Sequence, residues 1–263
     1  MNLVVPDRDP PSPDVRPCRG CGGAAERLPF SMAFQPIVDV PRRTVFAYEA
    51  LVRGVAGESA ASVLSRVDES NRYRFDQDCR IAAVGLAARL GLERTLSINF
   101  MPNAVYQPET CIRATLATAR RVGFPTSRLM FEVSEGEDAL DKAHLRAIFD
   151  EYRRQGFLTA IDDVGAGYSG LNLLAELEPD VVKVDMALVR DIDARPRART
   201  VVAHLARLCE ALGARVVAEG VESPVESRVL LDLGIALQQG YLFARPAFER
   251  LAEPRFDGSE PPS

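Results

Sequence analysis

Five glycines divide most of this chain into repeats. The segments "AARLGLERTLSINF", "ARRVGFPTSRLMFEVSE", "YRRQGFLTAIDD", "CEALGARVVAEG" and "LLDLGIALQQG" share one grammar. Each runs from an amphipathic stretch, through a glycine, into a short apolar run that reaches polar residues. Gly91, Gly123, Gly156, Gly213 and Gly234 fall where a helix should stop, because glycine tolerates the left-handed conformation that closes one. Gly91 to Gly123 is 32 residues and Gly123 to Gly156 is 33, the size of a βαβ unit. The longer interval from Gly156 to Gly213 holds a further strand, "VVKVD".

The apolar runs are nearly continuous, as in strands buried on both faces of a parallel sheet. Strands are predicted at 33–38, 45–51, 96–100, 129–134, 158–163, 181–186, 215–220 and 235–242. Eight is the number in a TIM barrel. Leu145, Ile148, Phe149 and Tyr152, and likewise Val201, Leu205, Leu208 and Leu212, form stripes expected to cover the sheet. Only "DVPRRT" joins the first two strands. A parallel crossover needs a dozen residues or more, so these strands pair as a hairpin. The predicted fold class is α/β, a TIM-like (β/α)8 barrel with one antiparallel strand.

Residues 1–29, rich in Pro, Gly and polar groups, read as a flexible N-terminal arm, residues 30–250 as the barrel domain, and 251–263 as a flexible C-terminal tail. The arm carries Cys18 and Cys21 in "CRGCG", either a free thiol pair or half of a metal or redox site shared with another chain. Five cysteines do not suggest a disulfide framework. No apolar run reaches the roughly 18 residues that span a bilayer, and the N-terminus lacks a signal peptide's basic start and apolar core. The chain therefore reads as cytoplasmic, with no membrane partner. A net charge of −5 argues against a nucleic-acid polymer as partner. His144 and His204 read as surface residues of helices.

The strands carry a particular set of side chains toward their ends: Glu49; Asn99; Glu132, then Glu135; Asp162 and Asp163; Lys183 and Asp185; Glu219 and Glu222; Gln238 and Gln239. In a barrel these ends converge on the rim where active sites sit. So many carboxylates would repel one another unless protons or cations intervene. The donors are all oxygen, which suits Mg²⁺, Mn²⁺ or Ca²⁺ rather than zinc. Adjacent aspartates allow one to bridge two ions while its neighbour holds the second, as in two-metal phosphate chemistry. Helix capping explains any one of these acids, but does not require the set to fall inside apolar strands. On residues alone, enolase-like proton abstraction with Mg²⁺ also stays open. A glycosidase is disfavoured by the lack of tryptophan.

The ordered series "FQPIVD", "YEALVRG", "SINF", "FEVSE", "IDDVGAGYSGL", "PDVVKVD", "VVAEGVE" and "QQGYLFARP" resembles the EAL-domain cyclic di-GMP phosphodiesterases of bacteria over about residues 30–250. The resemblance implies a TIM-like barrel with an antiparallel first strand. It also implies hydrolysis of cyclic di-GMP to linear 5'-pGpG through a water activated by two ions, Mg²⁺ or Mn²⁺. Glu49, Asn99, Glu132 and Asp162 would hold one ion, and Asp162, Asp163 and Glu219 the other. Lys183 and Asp185 would orient the attacking water, with Glu222 at the same mouth. Gln35, Arg53 and Gln239 would meet substrate, and Glu135 would anchor the loop after Asp163. A homodimer is implied too. The arm is too short for a fused sensory domain, so regulation is expected through a protein partner, an oligomer or the arm itself. The alternative within the family is a non-catalytic cyclic di-GMP receptor or partner-binding module. Val164, Ala166 and Gly170 depart from the family's common Phe-Gly-Thr-Gly-Tyr-Ser-Ser loop, and Phe100 stands where a small polar residue is frequent.

Overall fold

A hairpin opens the barrel and sets its one reversed strand. β1 (Ser31–Asp39) pairs antiparallel with β2 (Thr44–Arg53), Gln35 facing Glu49. Six strands follow in parallel: β3 (Thr95–Asn99), β4 (Leu129–Ser134), β5 (Leu158–Val164), β6 (Val181–Val184), β7 (Arg215–Ala218) and β8 (Leu237–Gln238). β8 pairs antiparallel with β1, which closes an eight-stranded barrel, and a short β9 (Ala247–Phe248) adds to β1 outside the ring. The structure, a computed structural model, describes residues 27–136, 142–167 and 170–256. Cys18 and Cys21 lie outside the described residues.

Helices fill the crossovers: α1 (Ala60–Leu64), α2 (Arg72–Arg89), α3 (Pro108–Cys111), α4 (Arg113–Val122), α5 (Lys142–Arg154), α6 (Gly170–Leu177), α7 (Met186–Val189), α8 (Pro196–Ala211) and α9 (Pro224–Asp232). All five glycines of the repeat take positive φ, between 67° and 85°, as the helix-stop reading requires. The α5 stripe of Leu145, Ile148, Phe149 and Tyr152 is buried. The α8 expectation is corrected. Its buried face is Ala198, Val202, Leu205 and Cys209, while Val201, Leu208 and Leu212 are exposed. Leu205 belongs to both stripes, and alanine and cysteine on the inner face weakened the sequence contrast.

The eighth strand is shorter than the predicted 235–242. After Gln238 the chain leaves the sheet and runs against the loop after β7, with Val221 N donating to the Gln239 carbonyl and Leu242 N to the Val221 carbonyl. A Cβ on Gly240 would lie 2.0 Å from the Val221 carbonyl oxygen, so this approach needs glycine. Residues 251–256, read from sequence as the start of a flexible tail, lie against the barrel. Leu251 bridges Phe34, Tyr48 donates its hydroxyl to the Ala252 carbonyl, and Phe256 packs against Phe243.

Among the described residues two separate cores result. The larger joins the outer faces of the strands to the helices. The smaller fills the barrel interior with Ile37, Ala47, Met130, Ala160, Val181, Val217 and Leu237. Strand side chains repeat every second residue. One step further along each parallel strand therefore gives the next interior layer: Glu49, Glu132, Asp162, Lys183, Glu219 and Gln239. On the reversed β1 the step runs backwards and gives Gln35. A packed apolar floor thus lies beneath a charged layer at the strands' C-terminal mouth.

Candidate metal and catalytic site

Lys183 stands at the centre of that charged layer, fully buried. Its Nζ lies 2.7 Å from Glu132, 2.8 Å from Glu219, 3.0 Å from Asp162 and 3.3 Å from Glu49. Burial opposes its charge, but Asp162, Glu132, Glu219 and Glu49 outweigh that and hold its pKa well above the ordinary lysine value. Burial pushes the Glu132 carboxyl well up, with Glu49 and Asp162 adding to the rise against the pull of Lys183. Glu219 is raised well above the usual range by burial and by Asp162 and Glu49, again against Lys183. Asp163 is raised by burial and then by Asp162. One ammonium does not neutralise this many carboxylates, and in the absence of other cations protons make up part of the difference.

The adjacent aspartates answer a geometric problem. Neighbours on a strand point to opposite faces. Here the β5–β6 register shifts between Ile161 and Val164, and Asp163 takes φ 56°. Such a bulge re-aims a side chain, and aspartate tolerates the left-handed region better than most residues. Both aspartates consequently line one cavity of about 300 Å³, with Gln35, Glu49, Asp185 and Glu219. Ser134 Oγ donates to Asp163 at 3.0 Å, and Asp162 accepts from Asp163 N at 2.9 Å.

One carboxylate oxygen each from Glu49, Glu132 and Asp162 lies within 4.8 Å of the others, and the same holds for Asp162, Asp163 and Glu219. Asp162 belongs to both groups. The hard oxygen donors and the aspartate shared by both groups fit divalent ions, whose charge would relieve the repulsion among these carboxylates. Asn99, at the open end of β3, donates to Glu49 at 2.9 Å.

The remaining expected residues sit around this centre. Gln239 donates to Glu49 at 2.8 Å and to Gln35 at 3.2 Å, and Gln35 donates to the Ala244 carbonyl at 3.0 Å. Glu135 accepts from Gly165 N at 2.8 Å and Gly170 N at 2.6 Å, spanning the loop after Asp163. A Cβ at Gly170 would come within 3.1 Å of that carboxylate, so this departure from the common serine fits a close contact. Asp185 also caps α7, accepting from Ala187 N at 2.9 Å. Glu222 lines the cavity rim but is paired with Arg190, which holds its carboxyl below the usual range. Gln238 is buried behind the mouth and bonds Ser227 and Ile235 carbonyls.

Arg53 is not among the cavity-lining residues, and its guanidinium bonds the Val52 carbonyl. His204 is exposed, whereas His144 is half-buried with Nε2 2.6 Å from the Val105 carbonyl. Sequence reasoning missed Ser97, a buried interior residue whose hydroxyl donates to Glu132. Its signal was its place two residues before Asn99 on the same strand face. It also missed Glu226, whose carboxylate accepts from Asp191 N, Glu222 N and Ser223 N at 2.9 Å each. The "SPVE" capping-box spacing carried that signal.

The fold and the site define a class: a closed barrel with one reversed strand and a carboxylate-rich mouth that could hold divalent ions. Within that class the EAL domain model matches residues 23–246, and the chain belongs to the EAL domain family. It resembles a standalone EAL protein of Vibrio cholerae O395, solved in a c-di-GMP-bound form, with 50% identity and a TM-score of 0.86. The match covers 90% of this chain and all of that one. It resembles Klebsiella pneumoniae BlrP1 in a manganese/cy-diGMP complex, at 37% identity and TM-score 0.81, over 86% of this chain and 58% of that one. Among curated relatives, RocR of Pseudomonas aeruginosa, a cyclic di-GMP phosphodiesterase, is 34% identical over 62% of this chain. BluF of Escherichia coli K12, a blue light- and temperature-regulated antirepressor, is 27% identical over 81% of it. The chain spans 41% and 53% of the length of those two relatives.

Proposed function

We propose that this chain hydrolyses one phosphodiester bond of cyclic di-GMP to linear 5'-pGpG, using two Mg²⁺ or Mn²⁺ ions. The supporting observation is the pair of carboxylate triads that share Asp162. Glu49, Asn99, Glu132 and Asp162 would hold one ion, and Asp162, Asp163 and Glu219 the other. When bound, such ions supply Lewis acidity and activate water at neutral pH.

The chain's own groups do the rest. Lys183 places a fixed cation beside the reacting phosphate and steadies charge that develops there. Asp185 faces the same cavity and orients the attacking water. Gln35 and Gln239 offer amides to the nucleotide, and the apolar floor keeps bulk water from below. Arg53 donates from Nη1 to the Val52 carbonyl and would meet substrate with its remaining guanidinium donors. Glu222 acts at the rim beside Arg190. Glu135 holds the loop that carries Asp163. Cytoplasmic placement, a homodimer and a regulatory protein partner complete this reading. No helix among the described residues is long and apolar enough to cross a membrane.

The test is incubation with cyclic di-GMP and Mg²⁺ or Mn²⁺, with nucleotides resolved by chromatography. Linear pGpG is expected, and its absence from folded protein with both metals overturns the activity. The second reading is a non-catalytic receptor or partner-binding module, favoured by the antirepressor among the relatives. Tight cyclic di-GMP binding without turnover would select it.

A further inference from the structure

Behind the mouth, on the outer face of β3 and β4, lies a buried ionic brace that no catalytic role uses. Asp76 and Arg80 stand one turn apart on α2 and are 2% and 1% exposed. Arg80 Nη2 lies 2.7 Å from Asp76 Oδ2. The other carboxylate oxygen accepts from Met101 N at 2.8 Å. Arg80 also reaches the Tyr152 hydroxyl at 3.4 Å.

Met101 is two residues past Asn99, where the chain turns away from β3. Phe100 N is held from the other side by the Glu132 carbonyl at 3.0 Å. Tyr152 packs against Phe100, Phe131 and Phe157, with ring centroids 5.4, 4.7 and 5.9 Å away. Strand alternation makes each contact informative. Phe100 and Phe131 point outward, and their chain neighbours Asn99 and Glu132 face the cation site. The brace therefore grips the outside of the two strands whose inner faces carry those donors. Phe100, the aromatic where the family often has a small polar residue, is part of the grip.

A buried ion pair is an expensive way to gain stability, since apolar residues of similar volume often do as well. An acceptor fixed on a single backbone N–H next to a candidate ligand has a different use. We propose that Asp76 is a positioning residue: its carboxylate, charge-balanced by Arg80, fixes the Met101 amide and thereby the placement of Asn99 toward the cation site. This rests on Asn99 being a ligand, as read above. Groups that orient metal ligands from outside cost about 10–100-fold in affinity or activity when lost. Asp76 acts through the backbone, so the low end, about 10-fold, is expected.

The experiment compares two double variants of the full chain by calorimetric Mn²⁺ titration and by the Mn²⁺ dependence of cyclic di-GMP hydrolysis. D76N/R80M removes both charges but keeps the acceptor for Met101 N. D76L/R80M removes the charges and the acceptor together. D76S/R80M, with a shorter side chain, makes the same comparison if the leucine variant does not fold. Leu205→Ala on α8 serves as a control for general destabilisation.

D76N/R80M and Leu205→Ala should bind Mn²⁺ as the wild type does. D76L/R80M or D76S/R80M should bind at least one ion about 10-fold more weakly and need correspondingly more Mn²⁺ for half-maximal turnover. Equal Mn²⁺ affinity in folded acceptor-keeping and acceptor-lacking variants overturns the proposal. A wild type that binds Mn²⁺ without hydrolysing overturns the activity alone, because the affinity comparison still stands. A wild type that binds no Mn²⁺ overturns the proposal, and the activity as well if no pGpG forms with Mg²⁺ either.

Discussion

Replacing Lys183 with methionine tests whether the charged layer depends on a central cation. The substitution keeps most of the buried stem and removes the ammonium. In the metal-free protein four carboxylates then lose a partner at 2.7 to 3.3 Å. A unit pair at 4 Å is worth about 4 kcal/mol at an effective dielectric near 20, so the gross attraction lost is large. Proton uptake by Glu132 and Glu219, both already shifted upward, limits the net cost. The loss typical of breaking a buried ion pair, about 3–5 kcal/mol, is therefore expected at pH 8. At about 2–4 °C per kcal/mol for a chain near this size, the melting temperature should fall by roughly 6–20 °C. Thermal unfolding followed by circular dichroism in EDTA provides the assay. The deficit should shrink as pH falls, because the raised Glu132 and Glu219 carboxyls take up protons and relieve the repulsion. Saturating Mn²⁺ should restore much of it, because the ions replace the missing charge. A K183M protein that melts with the wild type at pH 8 in EDTA would refute this reasoning.

Wild-type protein should show a related pH dependence. The carboxyls of Glu132, Glu219 and Asp163 are raised in the folded state. Their protonated forms contribute stability that is fully present below the ordinary carboxylate range and lost as pH rises through the folded values. Melting temperature in EDTA should fall across that window, and Mn²⁺ should flatten the fall; a metal-free melting temperature that rises with pH there contradicts the raised carboxyls. Glu135→Ala leaves Gly165 N and Gly170 N without their acceptor. It should lower kcat more than it shifts the melting temperature, and unchanged steady-state kinetics would remove Glu135 from loop positioning. Glu226→Ala strips acceptors from three backbone N–H groups in two rim loops. A loss of about 2–4 kcal/mol in urea unfolding is expected, and a change below about 0.5 kcal/mol would show those loops to be held otherwise.

Much of this architecture was legible because its signals are local and repeated. Helix-stop glycines spaced like βαβ units gave the barrel, and the short "DVPRRT" link gave the reversed β1. Acids within apolar strands marked the mouth, since each interior polar residue sits one side-chain period beyond an apolar one. What escaped depends on contacts distant in sequence. The shortened β8 follows from the approach of Gly240 to Val221, which no periodicity records. The inner face of α8 uses small residues, so the larger Val201, Leu208 and Leu212 drew the stripe to the wrong side. The left-handed Asp163 that turns two neighbours toward one cavity shows in sequence only as two adjacent aspartates. Packing of residues 251–256 escaped because a two-residue strand and a single bridge leave no pattern in a proline-containing segment.

The shared position of Asp162 is open to direct measurement by calorimetric Mn²⁺ titration of wild type, Asp162→Asn and Asp163→Asn in the presence of a non-hydrolysable analogue of cyclic di-GMP. Two ions per wild-type chain are expected, one for the Asp163 variant and severe weakening at both positions for the Asp162 variant. A wild type that saturates with fewer than two ions, or an Asp162 variant that still binds two with unchanged affinity, would contradict the two-ion site.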